Sequence, residues 1–199
     1  MRTIRLADTD DAAPIAEIYS HFVLNTPISF ESTAPDADEM ARRIEDVLQR
    51  YPWLVCDSDG IVAGYAYASQ HRVRFHYQWS VDVTVYVHGS FRRQGIARAL
   101  YTALLAVIPL QGYVSAYAGI TLPNPGSVGI HEAMGFVPVG VYRNVGYKLG
   151  AWHDVGWWQA TLIEPPSKPT APICLADVVR LPEWGEALEA GTRLLRLNL

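Results

Sequence analysis

Residues 77–105 read YQWSVDVTVYVHGSFRRQGIARALYTALL and contain a predicted strand, an arginine- and glycine-rich loop and a predicted helix, in that order. Alternate residues across 77–87 are apolar, and this period of two is typical of a strand with one buried face. Apolar residues then recur at helical spacing, at Ile96, Leu100 and Leu104. We expect this helix to end at Pro109, because proline lacks the N–H that continues a helix.

The loop between this strand and this helix has the composition of a phosphate site. Free backbone N–H groups and the positive end of the helix dipole meet at a helix N-terminus. Gly95 has no side chain and lets an anion approach the backbone, while Arg92, Arg93 and Arg98 supply charge suited to phosphate. The alternative is an ordinary turn with a solvated basic cluster. The loop is neither a GxGxxG motif nor a P-loop with its lysine.

Composition limits the class of protein. The chain has 199 residues, of which half are hydrophobic, so it is long enough for one domain with a sizeable core. Its net charge of −4 argues against a nucleic-acid partner. We expect no membrane segment, since no apolar run approaches about 20 residues. Two cysteines make no disulfide framework, and no zinc-like Cys/His spacing occurs, so we expect a cytoplasmic protein without a metal.

Read in order, the chain predicts a strand, two helices, three strands, a helix, a strand, a helix and two strands. The later elements are predicted at residues 112–119 (strand), 124–134 (helix), 136–145 (strand) and 155–163 (strand). After Glu164 the composition changes to a proline-rich stretch. We therefore expect a domain over residues 1–164 and a C-terminal extension over 165–199, with a possible helix from Leu175 to Leu199, that is either a packing or dimer-contact element or mobile.

Two motifs resemble those of the GCN5-related N-acetyltransferases, the GNAT superfamily. Val87 followed by residues 92–97 (RRQGIA) resembles the pyrophosphate loop of that family, R/Q-x-x-G-x-G/A. Asn124, Ser127 and His131, followed by Gly-Phe at 135–136, resemble the family's later helix. Within the family, the chain looks like the phosphinothricin N-acetyltransferase branch, from about Thr3 to about Leu162, on three stretches: residues 50–55, 119–132 and 150–156.

The resemblance implies a fold and a cosubstrate. The fold is α/β (α+β): a twisted, mixed central sheet flanked by helices, in which two neighbouring strands, here 77–87 and 112–119, splay apart. The pantetheine arm of acetyl-CoA fills the gap and hydrogen-bonds the strand edge, much as an added strand would. The residues implied in acetyl-CoA binding are Val85, Tyr86, Val87, Arg92, Arg93, Gln94, Gly95, Ile96, Ala97, Arg98, Asn124 and Ser127.

Acetyl transfer to an amine requires loss of the ammonium proton, stabilisation of the thioester oxygen and departure of the thiolate. Asp82, on the polar face of the strand, is the candidate base, and its alternative role is to accept structural hydrogen bonds. In the resembling enzymes a glutamate occupies this position, so Asp82 reaches about 1–1.5 Å less far and a water relay is one solution. His131 has three open roles: acid to the thiolate, base with Asp82, or substrate orienter. The oxyanion stabiliser implied by the resemblance is a backbone N–H near Val85.

The branch resemblance also implies the acceptor site. Arg74 and Tyr77 match an Arg-x-x-Tyr pair of the branch, and a guanidinium group suits a carboxylate or phosphinate. Phe30 resembles an aromatic that covers the substrate, and Arg72, where the branch has a lysine-like residue, is expected to assist. We expect N-acetylation of a small amino-acid analogue such as phosphinothricin, methionine sulfoximine or methionine sulfone. The alternatives are another amine (an antibiotic, a polyamine or a peptide N-terminus) and a catalytically poor acyl-CoA-binding module. A homodimer is expected from the family.

Overall fold

The computed structural model describes residues 2–196, which form one mixed sheet with helices on both faces. The strands are β1 (Arg2–Leu6), β2 (Trp53–Ser58), β3 (Ile61–Gln70), β4 (Ser80–Val87), β5 (Ser115–Leu122), β6 (Val137–Lys148) and β7 (Ala151–Thr161). The helices are α1 (Ala12–Asn25), α2 (Ala37–Leu48), α3 (Ile96–Leu110), α4 (Pro125–Ala133), α5 (Leu175–Val178) and α6 (Pro182–Arg196). Across residues 2–196, no helix has both the length and the apolar composition that crossing a membrane requires.

The sheet has strand order β1-β2-β3-β4-β5-β7-β6 and one parallel pair. That pair, β4 with β5, is joined only over Ser80↔Ser115, Val81↔Ala116 and Asp82↔Tyr117. Beyond Asp82 the two strands diverge, and β5 continues its pairing with β7 alone, through Leu122↔Asp154. The predicted splay of two central strands is therefore confirmed, and it begins at the candidate base.

Helix α3 packs on one face of the sheet because its apolar residues wrap most of its circumference. Ile96, Leu100 and Leu104 are all buried, as the sequence pattern predicts. Each buried leucine or isoleucine contributes about 1.5–3 kcal/mol to stability. On the other face, α1 and α2 form a second core with the aromatic side chains of Trp53 and Tyr65. The sheet thus separates two packed layers.

Several predicted element bounds are wrong. Residues 75–77 form a 3₁₀ turn, because the Arg74 and Phe75 carbonyls accept the N–H groups of Tyr77 and Gln78, and β4 begins only at Ser80. Pro109 lies inside the last turn of α3, which ends at Leu110, one residue later. The last three strands, β5 to β7, also differ from the predicted ranges: β5 begins and ends later, β6 ends later, and β7 begins and ends earlier.

The C-terminal residues pack on the domain that precedes them. Thr192 Oγ1 in α6 accepts the N–H of Ile4 in β1 at 3.1 Å. Trp184, Ala187 and Leu195 are buried in the same core as α3. The domain boundary at residue 164 stays a prediction, and residues 197–199 of the predicted terminal helix lie outside the described residues.

Helix α6 approaches α3 closely at Gly191, where an added Cβ would collide with the carbonyl oxygen of Ala99. We expect Gly191→Ala to lower the free energy of unfolding by about 1–3 kcal/mol, because the backbone of α3 cannot move aside freely. Gly185, on the same helix, has open space at its Cβ position. Gly185→Ala should therefore raise stability by about 0.5–1 kcal/mol through helix propensity. Urea unfolding of both variants measures the difference, and equal effects would contradict this docking of α6.

Candidate active site

A cleft of about 490 Å³ lies where β4 and β5 diverge. Val85, Tyr86 and Val87 form its β4 wall, and Phe22 and Ile28 close it from the end of α1 and the loop that follows. The edge of β4 beyond Asp82 has no β5 partner, since the strands pair only over three positions. Backbone N–H and C=O groups therefore face the cleft without their usual sheet bonds.

The loop before α3 forms the second wall of the cleft. Gly95 precedes the helix with φ of 78°, a conformation that favours glycine, and Arg93 has φ of 64°. The helix then begins at Ile96 with no side-chain cap. Its first N–H groups have no intrahelical partner and are available to an anion. The guanidinium group of Arg92 lies 5.5 Å from the ring centre of Phe22 across the cleft mouth.

Eleven of the twelve predicted cofactor residues line this cleft: Val85, Tyr86, Val87, Arg92, Arg93, Gly95, Ile96, Ala97, Arg98, Asn124 and Ser127. Gln94 is the exception. Its side-chain amide donates to the Ser90 carbonyl at 3.1 Å, and its oxygen accepts from Arg2. These two bonds hold the loop in place, and the role of Gln94 in acetyl-CoA binding stays a prediction.

Asn124 begins α4 and lines the cleft at the same time. Its side-chain oxygen accepts the N–H of Ser127 at 3.1 Å, which caps the helix. Its NH₂ group has no hydrogen-bond partner among residues 2–196. Asn124 therefore caps the helix through its side-chain oxygen. Its NH₂ group remains a donor for the ligand that the sequence suggested in the cleft.

His131 lies on the buried side of α4 and does not line the cleft. It is 4% exposed, its Nδ1 donates to the Ser127 carbonyl at 2.7 Å, and Nε2 accepts from the Tyr101 hydroxyl at 2.9 Å. Burial lowers the pKa of His131, and the Ser127 carbonyl opposes that shift. Both ring nitrogens are engaged and the ring is neutral, so the geometry favours a role in holding α4 against α3. No contact with Asp82 is formed.

Asp82 lies at the last paired position of β4, where the strands begin to diverge. Its Oδ1 accepts from His71 Nδ1 at 2.6 Å. Burial raises the pKa of Asp82, and the hydrogen bond from His71 is the larger of the effects that oppose it. The candidate base is therefore not a lone carboxylate but half of a pair.

The sequence pattern did not indicate His71. It lies in the connection after β3, where no spacing marks it. In the structure its ring stacks on Tyr117 of β5 at 4.2 Å and 15°, and it meets the edges of Trp157 and Tyr77 at 6.1 and 6.2 Å. These aromatic side chains and Asp82 enclose the histidine ring on several sides. We refer to His71, Tyr77, Asp82, Tyr117 and Trp157 as the His71 cluster.

The predicted acceptor residues divide between different places. Tyr77 belongs to the His71 cluster, and the Arg72 guanidinium lies 5.4 Å from the ring centre of Trp157. Arg74 instead lines a separate pocket of about 220 Å³, together with Arg50 and Tyr77. The structure thus brings Arg72 and Tyr77 to the His71 cluster and places Arg74 in a neighbouring pocket that Tyr77 also lines.

Phe30 lies in the connection between α1 and α2, which is fastened to the β6–β7 hairpin. Its ring packs on Gly146, where a Cβ would collide with it, and lies 6.3 Å from His153. Lys148 Nζ donates to the carbonyls of Ser29 and Glu31 at 2.6 and 3.0 Å and to that of Val23. The aromatic side chain is therefore held rigidly on the hairpin, and no ring contact to the His71 cluster is formed.

Comparison with known proteins decides the family. A family model described as an acetyltransferase (GNAT) domain matches residues 4–157. The chain belongs to the GNAT acetyltransferases. A phosphinothricin N-acetyltransferase of Streptomyces viridochromogenes is 40% identical over 171 residues, 85% of this chain and 93% of that protein. An L-methionine sulfoximine/L-methionine sulfone acetyltransferase of Salmonella typhimurium is 34% identical, over 81% of this chain and 95% of that protein.

A solved structure agrees with this GNAT fold. It is a phosphinothricin acetyltransferase from Sinorhizobium meliloti in complex with acetyl-CoA, with a TM-score of 0.81 and 36% identity over 85% of this chain and 93% of that one. Family and relatives together make this GNAT protein an N-acetyltransferase. The fold and family expected from the sequence are confirmed.

The buried, neutral His131 of this acetyltransferase makes stability depend on pH. Its folded pKa lies below its ordinary value of 6.5, so the unfolded chain binds more protons, and stability falls as pH drops below about 6.5. We expect His131→Gln to flatten that slope in urea unfolding between pH 7 and 5.5, by up to about 1.4 kcal/mol per pH unit. His21→Gln, at an exposed histidine of α1, should keep the parent slope. An unchanged slope in His131→Gln would contradict the buried neutral ring.

Proposed function

We propose that this enzyme transfers the acetyl group of acetyl-CoA to the α-amino group of a small amino-acid analogue, such as phosphinothricin, methionine sulfoximine or methionine sulfone, as a detoxification. The observation that carries the proposal is the cleft beside the free edge of β4, the edge that begins where the pairing with β5 ends at Asp82. The phosphinothricin and methionine sulfoximine/sulfone acetyltransferases at 40% and 34% identity support the acceptor class.

The residues of the cleft fit acetyl-CoA. The pantetheine arm carries amides, and the free edge of β4 at Val85 and Val87 offers backbone groups to pair with them. The diphosphate is an anion, and the first N–H groups of α3 with the exposed side chains of Arg92, Arg93 and Arg98 suit it. When bound, acetyl-CoA supplies the activated acetyl group, and the Sinorhizobium meliloti structure is a complex with it.

The acceptor fits beside the His71 cluster. Arg72 is placed to meet a carboxylate or a tetrahedral oxygen-bearing head, because it lies over Trp157 next to that cluster. Tyr77 adds a hydroxyl at the same position. Arg74 would reach the acceptor only from the neighbouring pocket, so we assign the first contact to Arg72. Phe30, held on the β6–β7 hairpin without a ring contact to the His71 cluster, is proposed to meet the acceptor from the α1–α2 connection, whose Ile28 carbonyl accepts from Thr121 at 3.4 Å.

Each remaining residue has a proposed role in the transfer. Removal of the ammonium proton depends on Asp82, which is hydrogen-bonded to His71 and whose pKa is raised by burial. A backbone N–H near Val85 stabilises the thioester oxygen. Asn124 and Ser127 hold the cosubstrate from α4. His131 is a positioning residue that holds α4 against Tyr101, and we do not assign it a bond to the substrate.

Release of CoA thiol from acetyl-CoA measures this function directly. We expect amine-dependent release with phosphinothricin, methionine sulfoximine and methionine sulfone, and little with spermidine or a short peptide. Asp82→Ala should lower kcat by about 10²–10⁴-fold, the typical contribution of general base catalysis. Its affinity for acetyl-CoA should persist, because Asp82 is not among the residues that line the cleft.

Asp38→Ala, an exposed carboxylate of α2, is the matched control and should keep full turnover. Release with spermidine or the peptide alone would assign a different acceptor. Tight binding of acetyl-CoA without turnover for any amine would overturn the enzymatic proposal and favour an acyl-CoA-binding module.

We further propose that the protein is a homodimer and that the second copy covers the outer strand β6. This strand ends the sheet, and its hairpin with β7 exposes a continuous series of large apolar side chains: Val137, Val139, Val141, Tyr142, Val145, Tyr147, Leu149 and Trp152. An exposed apolar edge strand invites pairing with another strand. A cytoplasmic location is also proposed, supported by the free thiols of Cys56 and Cys174.

Sedimentation of a charged variant tests the dimer. Tyr147→Lys with Trp152→Lys should convert a dimer to a monomer, since these paired positions would bury two like charges in an apolar interface at a cost of several kcal/mol. Ile61→Lys, an exposed apolar residue on β3, is the control and should leave the dimer intact. A parent protein that sediments as a monomer at all concentrations would contradict the proposal.

A further inference from the structure

Asp82, where β4 and β5 diverge, is already hydrogen-bonded to a second titratable group, His71. The Asp82–His71 bond is 2.6 Å long, and the side chains are 27% and 11% exposed. A carboxylate that accepts such a short bond has one oxygen fewer for an incoming ammonium. The hydrogen bond fixes the histidine instead.

The bond to Asp82 also selects the tautomer of His71. A carboxylate only accepts, so Nδ1 carries the hydrogen and Nε2 holds the lone pair in the neutral ring. Nε2 has no hydrogen-bond partner among residues 2–196, and it is not fully buried. It therefore retains contact with solvent and is free to accept a proton.

The ring is held in one orientation by the elements around it. Tyr117 of β5 stacks on one face, Trp157 of β7 and Tyr77 meet it edge-on, and Asp82 of β4 fixes its Nδ1. The charged groups beside it are Asp82, which accepts its hydrogen bond, and Arg72, which lies over Trp157. A histidine oriented by a carboxylate, with its other nitrogen open, is the arrangement of a general base.

We propose that His71 is the catalytic residue that takes the proton from the acceptor ammonium, and that Asp82 is the positioning residue that holds it. This inference rests on the proposed acetyl transfer. Asp82 is one methylene shorter than glutamate, a loss of about 1–1.5 Å of reach. The imidazole of His71 extends the site beyond Asp82 and supplies that reach without a water relay.

The acetyl transfer consumes one ammonium and one thioester and balances in protons and electrons. The ammonium gives one proton to His71 Nε2, and the amine lone pair forms the N–C bond to the acetyl carbon. The C–S bond breaks with its electron pair on sulfur. The second proton lost from nitrogen neutralises the thiolate, and His71 passes its own proton to water. Each turnover thus yields an amide, a thiol and one proton.

Two single variants and one double variant separate His71 from Asp82. His71→Gln should lower kcat by about 10²–10⁴-fold with the KM for acetyl-CoA unchanged. Asp82→Glu alone should not exceed parent activity, because the longer side chain displaces His71. The double variant His71→Gln with Asp82→Glu should recover at least 10-fold over His71→Gln, because glutamate then reaches the amine itself. His76→Gln, an exposed histidine of the same connection, is the control.

A spectroscopic readout is independent of turnover. In ¹⁵N NMR of the histidine rings, Asp82→Asn should move His71 away from the Nδ1–H tautomer while His131 keeps its own pattern. Full activity in His71→Gln, within 3-fold of the parent, or an unchanged His71 tautomer in Asp82→Asn would overturn the inference. A parent enzyme that releases no thiol with any amine would instead refute the proposed function. The NMR measurement would still show whether Asp82 sets the tautomer of His71.

Discussion

The structure depends on one interrupted pairing: β4 and β5 are hydrogen-bonded for three positions and then diverge. Unpaired backbone groups in a buried sheet are costly, so such an interruption persists only where something else can satisfy them. Here the freed edge of β4 faces a cleft that ends at a helix N-terminus and three arginines. A single constraint therefore creates both the binding site and the place where a reactive group is presented to Asp82.

The packing on both sides keeps the strands apart. β5 is committed to β7 along its whole length, while β4 is committed to β3 from Gln70↔Val81 to Gly64↔Val87. Helix α4 fills the space beyond β5, and His131 ties it to Tyr101 of α3. Each strand thus keeps a full partner on its outer side, and the divergence leaves only the inner edges of β4 and β5 unpaired.

The sequence predicted the parts whose cause is local. Helix α3 and the glycine loop before it follow from side-chain period and backbone freedom within a few residues. It failed where the cause is distant. His71 becomes a partner of Asp82 only because the β3–β4 connection folds over Tyr117. Likewise, the apolar pattern indicated a C-terminal helix but not its docking on β1 through Thr192.

A crystal structure of the complex with acetyl-CoA tests the central claim most directly. We expect the pantetheine arm to lie between β4 and β5 beyond Asp82 and to be hydrogen-bonded to the backbone at Val85 and Val87. The diphosphate should lie on the first N–H groups of α3. Acetyl-CoA bound elsewhere, or β4 and β5 hydrogen-bonded to each other past Asp82 in its presence, would contradict the claim that the free edge of β4 is the cosubstrate site.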